Sequence, residues 1–439
     1  MSYRFLKITT FYPEYLDSYY RRNPKVKDLS YAEQKSHLMA EGYGWADHFE
    51  KNLRSLGVDA HEIVANANYL QQQWAAEHSR NISGRDIVLA QIADLNPDVL
   101  MFQDTFYATG GWIALVRERT PSIKQVIGWC SAPFSERHLG NLKAYDYILA
   151  CSPYFVQYFA MNGITSYLMY HAFEPRLLPL LDRDNDFPAV DLIFLGSLAG
   201  GEGYHNKRLH IIENLIMQGV EPNIYTHLQT PSRLTTTVQQ GIYFAAKAFN
   251  ALGFGSTVSK LPILHQYHAR TSLPRHPSFS KALRTRVRPP EYGVNMLKAL
   301  SRAKIGLNSH IDVAGEYAGN SRLFEVTGVG SCLVTDWKIN IRDLFMPDKE
   351  IITYRSAKEC IEKITWLLRN PVSLKDIGRA GQIRTLRDHT FLNRALQIDD
   401  IIKKEFGCHR KYGNSNAQQR CDPEHTRPSH ANKPELSKG

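Results

Sequence analysis

Apolar residues recur along the N-terminal half in two alternating rhythms. Short apolar runs bounded by polar or turn residues predict buried strands in "RFLKITTF", "VDAHEIVAN", "PDVLMFQD", "KQVIGWCSAP", "YDYILACSP" and "SYLMYHAF". Between them, helical spacing predicts a helix over "YAEQKSHLMAEGYGWADHFEKNLRSLG", ending on Gly57 as a C-cap. Further helices are predicted over "SGRDIVLAQIADLN", "TGGWIALVRERTP" and "YFVQYFAMNG". Strand, helix, strand at this rhythm builds right-handed βαβ units on a mostly parallel sheet.

The pattern then restarts. "VDLIFLGSL" and "EPNIYTH" predict strands on either side of the helix "NKRLHIIENLIMQG". After an interruption, "YGVNMLKALSRA" predicts a helix, "KIGLNSH" a strand, and "YAGNSRLFEVTGVGSCLVTD" a helix followed by a strand. "EIITY", the helix "SAKECIEKITWLLRN" and a last helical zone, "SLKDIGRAGQIRTLRDHTFLNRALQIDDIIKKEF", complete the series. The fold class is α/β, with two tandem Rossmann-like, doubly wound domains. Ligands of such sheets bind beyond the carboxyl ends of the strands, so facing domains put those edges across one central cleft. We expect a first domain over residues 1–172 and a second over 173–406, whose last helix crosses back to the first. The second carries an insertion at 228–290, and residues 407–439, almost without apolar side chains, form a disordered tail.

Hydrophobic content of 43% and charged content of 22% are ordinary for a soluble globular chain. No window is long and apolar enough to span a bilayer. "MSYRFLKITTFYPEYL" lacks the apolar core and cleavage site of a signal peptide, so a cytoplasmic location is expected. Cys130, Cys151, Cys332, Cys360, Cys408 and Cys421 have no metal spacing, and the four that sit in apolar segments read as buried free thiols of a reducing compartment. The distribution of charge adds more. Net charge is +10, yet Pro222–Pro290 contains no Asp or Glu while carrying Arg233, Lys247, Lys260, Arg270, Arg275, Lys281, Arg284, Arg286 and Arg288. Such a block attracts polyanions or anionic lipid, or else is a solvated insertion with no partner. It contains an amphipathic helix candidate, "TTVQQGIYFAAKAFNALGF", but not the even Arg/Lys–aromatic interleaving of a nucleic-acid groove. Peripheral contact with an anionic membrane through 228–290 is therefore expected, and nucleic acid is not.

The stretch Tyr317–Asp336 carries the candidate chemistry. Asn320 or Ser321 is a good N-cap for its helix. The free N–H groups and positive dipole end there suit a diphosphate, and Arg322 adds positive charge. Glu325, about one turn further in, would accept two hydrogen bonds from a ribose diol, each worth roughly 1.5–3 kcal/mol. Gly328 and Gly330 let the helix end sharply against the sheet. The same residues also fit a capped helix with Glu325 as a surface residue.

"NSRLFEVTGVGSCLVTD" resembles the nucleotide-sugar signature of GT-B glycosyltransferases, in the group-1-like, CgeB-type branch. "KIGLNSHID", "FLGSL" with "NKRL", and "AGQIRTLRDHTFLNR" support the resemblance, which covers most of Val190–Arg394 outside the insertion. It extends more weakly to "YPEYL" and "NPDVLMFQD". The resemblance implies a GT-B fold and a nucleotide-diphosphate-sugar donor held by the second domain. It also implies no metal or other cofactor, because the helix dipole and Arg/Lys groups neutralise the leaving diphosphate. The second Glu of the family's E-x7-E motif, which holds the ribose, maps onto Glu325. The chain departs at the first Glu: that position is Tyr317, with Glu316 one residue early, which leaves open the group that meets the transferred sugar. The resemblance also puts Gly196 and Ser197 beside the diphosphate, with Lys207 and Arg208 as cationic clamps. The alternative for these two is an exposed helix start.

Asn308 and His310 end a strand at the same edge and are candidates for contact with nucleobase or sugar, or for structural hydrogen bonds. The first domain should supply the acceptor side and any general base. Candidates are Thr10 to Tyr12, Asp47, Asp104 and the Glu136/Arg137/His138 cluster, led by Asp104 and His138. "DRDND" (Asp182–Asp186) reads as a solvated loop and not as a metal site. The expected activity is that of a hexosyltransferase-like enzyme moving a sugar from a nucleotide donor to a saccharide or other cell-surface glycan. Its rivals are a GT-B-fold nucleotide-sugar epimerase and a degenerate transferase that binds polyanions.

Overall fold

The computed structural model describes residues 2–131, 136–181, 190–199, 206–226, 228–229, 233–253, 273, 279–310 and 315–412. The Asp182–Asp186 loop, most of the basic insertion beyond Gly253 and the tail from 413 onward lie outside these residues.

Two six-stranded parallel sheets form the frame. The first contains β1 (Arg4–Thr9), β2 (Asp59–Val64), β3 (Val99–Phe102), β4 (Gln125–Cys130), β5 (Tyr147–Ala150) and β6 (Ser166–Leu168). Its order is β2-β1-β3-β4-β5-β6, so the winding reverses at β1. The second domain contributes β7 (Val190–Leu195), β8 (Leu198–Ala199), β9 (Pro222–Tyr225), β10 (Leu228–Gln229), β11 (Val287–Arg288), β12 (Ala303–Leu307), β13 (Cys332–Asp336) and β14 (Ile352–Tyr354). Its large sheet runs β11-β9-β7-β12-β13-β14, and β8 pairs with β10 alone. β3, β4 and β5 are buried along their whole length, as parallel strands covered by helices on both faces must be. This is the doubly wound α/β architecture that the sequence pattern predicts.

Three local expectations change. The single helix expected over residues 31–57 is two helices, Tyr31–Ala40 and His48–Ser55. Gly42 and Gly44 both sit at φ +62°, a left-handed conformation that stops a right-handed helix on either side of Tyr43. Helices Pro13–Arg22 and Asn68–Glu77 follow β1 and β2 where the sequence pattern marks none. The terminal helix, Phe391–Tyr412, continues past Gly407, where the tail was expected to begin.

That terminal helix belongs to the first domain. Phe391, Ala395, Ile398, Ile402 and Phe406, at helical spacing, join the core of the first sheet. Its start is capped reciprocally: Thr390 Oγ1 accepts from the Asn393 N–H at 3.2 Å, and Asn393 Oδ1 accepts from the Thr390 N–H at 2.9 Å. The chain therefore passes between the domains twice, and the two passages are tied together. The Phe173 N–H donates to the His389 carbonyl at 2.9 Å, and the Phe391 N–H donates to the Phe173 carbonyl at 3.0 Å. Arg394 donates to the Tyr170 carbonyl at 2.8 Å and reaches His389 Nδ1 at 3.2 Å. His389 Nε2 meets the Leu344 carbonyl at 2.9 Å, so Nε2 carries the proton and the ring is neutral. Burial, with the Arg394 charge adding to it against the Leu344 bond, holds the His389 pKa down at about 4.

Two glycines let the domains meet. A Cβ at Gly328 would lie 2.3 Å from the Phe173 ring, so the helix end needs a hydrogen there. Gly293 has φ +54°, and a Cβ on it would lie 2.0 Å from the Glu41 carbonyl oxygen. The next residue, Val294, donates its N–H to that same oxygen at 2.8 Å.

Gly328→Ala should lower stability by about 1–3 kcal/mol through overpacking, read from urea denaturation. A second expectation concerns pH. The folded pKa of His389, about 4, lies below the ordinary 6.5, so the unfolded chain takes up the proton first. Stability is full above pH 6.5 and is lost as pH falls towards 4, by on the order of 3 kcal/mol from this group. His389→Gln should lack this part of the acid sensitivity when denaturation midpoints are compared across the same window.

Candidate functional site

Between the carboxyl edges of the two sheets lies a cavity of about 640 Å³. The first domain lines it with Thr10, Phe11, Tyr12 and Glu14 after β1, with Tyr43 and His48, and with Gln103 after β3. The second domain lines it with Gly196 and Ser197 after β7, Tyr225 at the end of β9 and Thr226 beyond it, Tyr292, Ser321, Arg322 and Glu325. Open α/β sheets place ligand sites at this edge because loops, and not strand backbone, finish the strands there.

Arg322 and Glu325 stand three residues apart on the short helix Arg322–Gly328. The opposite side of that helix is fixed: Leu323, Phe324, Val326 and Thr327 are buried, and the Thr327 hydroxyl meets that of Thr385 at 2.6 Å. Arg322 Nη1 lies 2.7 Å from Glu325 Oε2. That oxygen has no aligned hydrogen-bond donor, so the contact is a charge pair open to a better donor. The expected helix cap does not form. Ser321 has helical angles and makes no side-chain cap bond. Asn320 spends its amide on Asn308: Asn320 Nδ2 donates to Asn308 Oδ1 at 2.8 Å, and Asn308 Nδ2 returns a bond at 3.3 Å.

Asn308 and His310 do not line the cavity. Asn308 also donates to Thr335 Oγ1 at 2.9 Å, and its carbonyl accepts from the Tyr354 hydroxyl at 2.9 Å. His310 Nδ1 lies 2.7 Å from Asp336 Oδ1, which also accepts the His310 backbone N–H at 2.9 Å. Burial would raise the Asp336 carboxyl, but His310 and Lys338 outweigh it and hold it well below the usual carboxylate range. Both residues therefore hold the strand ends in place. Arg208 has a similar part. Its guanidinium donates to the Ser309 carbonyl at 2.8 and 2.5 Å and to the Ser197 carbonyl at 3.4 Å, joining the loops after β7 and β12. The Lys207 side chain lies outside the described residues.

On the first domain, the two leading base candidates stand off the cavity. Asp104 Oδ2 accepts from the Thr10 hydroxyl at 2.6 Å, and Oδ1 accepts from the Phe106 N–H at 2.9 Å. It reaches the cavity only through Thr10. His138 lies 3.0 Å from Thr105 Oγ1 and stacks on Phe106 at 3.8 Å between ring centroids. Burial lowers its pKa against the pull of Asp104. The side chains of Glu136 and Arg137 lie outside the described residues. The carboxylate and imidazole of this domain that do line the cavity are Glu14, exposed in the first turn after β1, and His48, buried against Phe391. Sequence reading named neighbours of both and missed both. Glu14 was accessible through the same strand-end argument that selected Thr10 to Tyr12.

An aromatic cluster spans the cleft. Tyr43 stacks on Tyr15 at 3.8 Å and meets Tyr292, from the second domain, edge-on at 5.5 Å. Beneath the first-domain wall is a buried charge pair. Lys7 Nζ lies 2.6 Å from Glu62 Oε1 across β1 and β2, and it donates to Gln103 Oε1 at 2.9 Å. Burial pushes the Glu62 carboxyl up and the Lys7 amine down, each against the pull of its partner.

Over residues 261–400 the chain matches the model of a family described as "Glycosyl transferase-like", a span that includes Arg322 and Glu325. No curated protein matches the chain. The Anabaena protein HepE, solved in complex with UDP and glucose, is 11% identical, covers 91% of this chain and 99% of its own, and has a TM-score of 0.53. An alpha-glucosyltransferase solved with UDP-glucose and DNA containing an abasic site is 13% identical, covers 92% of this chain and 100% of its own, and has a TM-score of 0.51. At these identities the likeness is one of fold. The chain has the GT-B arrangement, two Rossmann-like domains facing across a cleft.

Glu62→Ala leaves Lys7 buried without its partner and should cost about 3–5 kcal/mol in chemical denaturation. The double change Lys7→Met with Glu62→Leu should recover most of that loss, because a well-packed apolar pair replaces a buried charge pair at little net cost.

Proposed function

We propose that this GT-B protein is a glycosyltransferase that moves a sugar from a nucleotide-diphosphate donor to a saccharide or other cell-surface glycan. The observation that carries the reading is the Arg322–Glu325 pair, held on a rigid helix against a cavity between two strand edges. Glu325 accepts the ribose hydroxyls. Arg322 turns towards the diphosphate, with Gly196 and Ser197 leaving room for it and Lys207 adding charge. Arg208 acts indirectly, by holding Ser197 and Ser309. Donor binding needs no metal, since fixed cations and backbone dipoles neutralise the leaving diphosphate. The family match over 261–400 supports a glycosyl transferase. UDP in the HepE complex supports a nucleotide donor by analogy of fold.

The acceptor enters along Thr10, Tyr12 and Gln103. Its hydroxyl proton passes to a side chain on that wall, Glu14 or His48, with Asp104 polarising Thr10. Closure of the two edges excludes water from the reacting sugar. The protein works at the cytoplasmic face of a membrane, in peripheral contact through residues 228–290.

Thermal unfolding with UDP, GDP, dTDP, ADP and CMP, each with and without EDTA, tests this reading beside Glu325→Ala. One diphosphate should stabilise the wild type regardless of EDTA. The variant, losing both ribose bonds, should bind it more weakly by about 3–6 kcal/mol, at least roughly a hundredfold in Kd. No response to any nucleotide from a folded wild type contradicts the transferase reading.

A further inference from the structure

The helix Arg233–Ala251 packs Ala246 against Ile242 and Tyr243 but carries several larger apolar residues outward. Leu234, Val238 and Phe249 are exposed, as is Leu252 just past its end, and Ala245 lies between them. Their spacing puts all five on one face. Leu234 is 75% exposed and Leu252 70%. On the opposite side Thr236 and Ala246 are buried, and Gln239 and Lys247 are half-buried. A helix covering a core would have the reverse polarity. A continuous apolar face of this kind in water marks a docking surface.

Charge identifies what docks. From Pro222 to Pro290 the chain has no acidic residue, and Lys281, Arg284 and Arg288, further along the same stretch, are exposed. An acidic protein patch would answer the charge but not the apolar face. A second copy of this chain would cover the apolar face but bring two basic segments together, which repel. An anionic phospholipid surface answers both, with acyl chains for the apolar face and headgroup phosphates for the basic flank. Among the described residues no helix is long and apolar enough to cross a membrane. We propose that the helix Arg233–Ala251 docks the protein in the plane of an anionic phospholipid surface, with the Leu234–Leu252 face inserted. This deepens the peripheral membrane contact proposed above and rests on it, while the donor and acceptor reading stands or falls separately.

Vesicle flotation of the full-length protein tests it. The lipids are phosphatidylcholine alone, and phosphatidylcholine with roughly one-third phosphatidylglycerol, at low and high salt. The variant is Val238→Asp with Phe249→Asp, whose exposed positions leave the core intact. The wild type should float with the anionic vesicles, less at high salt and weakly with the neutral ones. The variant should bind the anionic vesicles at least about tenfold more weakly, with an unchanged thermal midpoint. Equal binding by wild type and variant, or no binding by the wild type, overturns the proposal. So does a wild-type oligomer in light scattering that the variant dissolves, which would assign the face to a second copy. Loss of any nucleotide response in the wild type would bear on the transferase reading alone.

Discussion

The chain crosses between its two sheets at Phe173 and returns at His389–Phe391, and hydrogen bonds join the two crossings. Everything about the cleft depends on that joint. Strand edges on separate domains form one site only if their separation is fixed within narrow limits. Here a single linker would leave them free, whereas two bonded strands allow rotation about one axis. The Phe173 ring packs on Gly328, at the end of the helix that carries Arg322 and Glu325. The second-domain wall is therefore attached to the pivot and not only to its own sheet. Arg394 and neutral His389 complete the joint with bonds to backbone carbonyls on both sides.

The two walls of the cleft differ in chemistry. The second domain presents a fixed charge pair and tightly bonded loops, because Arg208, Asn308, Asn320 and His310 spend their polar groups holding strand ends. The first domain presents mainly aromatic and hydrogen-bonding groups, with Glu14 as its exposed carboxylate and the buried Lys7–Glu62 pair held beneath Gln103. Such a division suits an anionic ligand on one side and a neutral polyhydroxylated one on the other. The Tyr15–Tyr43–Tyr292 cluster meets across the domains and gives the open cleft a defined contact.

The alternation of strands and helices was legible because parallel strands buried on both faces need short apolar runs, and β3, β4 and β5 are such runs. The place of Glu325 beside Arg322 at the cavity was legible because a carboxylate at helical spacing behind Arg322 and before Gly328 is a local pattern. What the sequence hid was non-local. Gly42 and Gly44 look like tolerable helix glycines until their left-handed angles are seen. Lys7 and Glu62 are 55 positions apart and meet only through the pairing of β1 with β2. Asn308 and His310 sit at the expected edge, but partners from other strands, Thr335 and Asp336, decide where their side chains go. Asp104 likewise lies one residue beyond the cavity-lining Gln103 and bonds to Thr10.

The central claim is that the cleft holds a nucleotide by its ribose at Glu325 and its diphosphate near Gly196, Ser197 and Arg322. A crystal structure with a bound nucleoside diphosphate tests it most directly. The account predicts both ribose hydroxyls within hydrogen-bonding distance of the Glu325 carboxylate, with the phosphates towards the loop after β7. A nucleotide bound outside the cleft, or one in the cleft with its ribose away from Glu325, would contradict it.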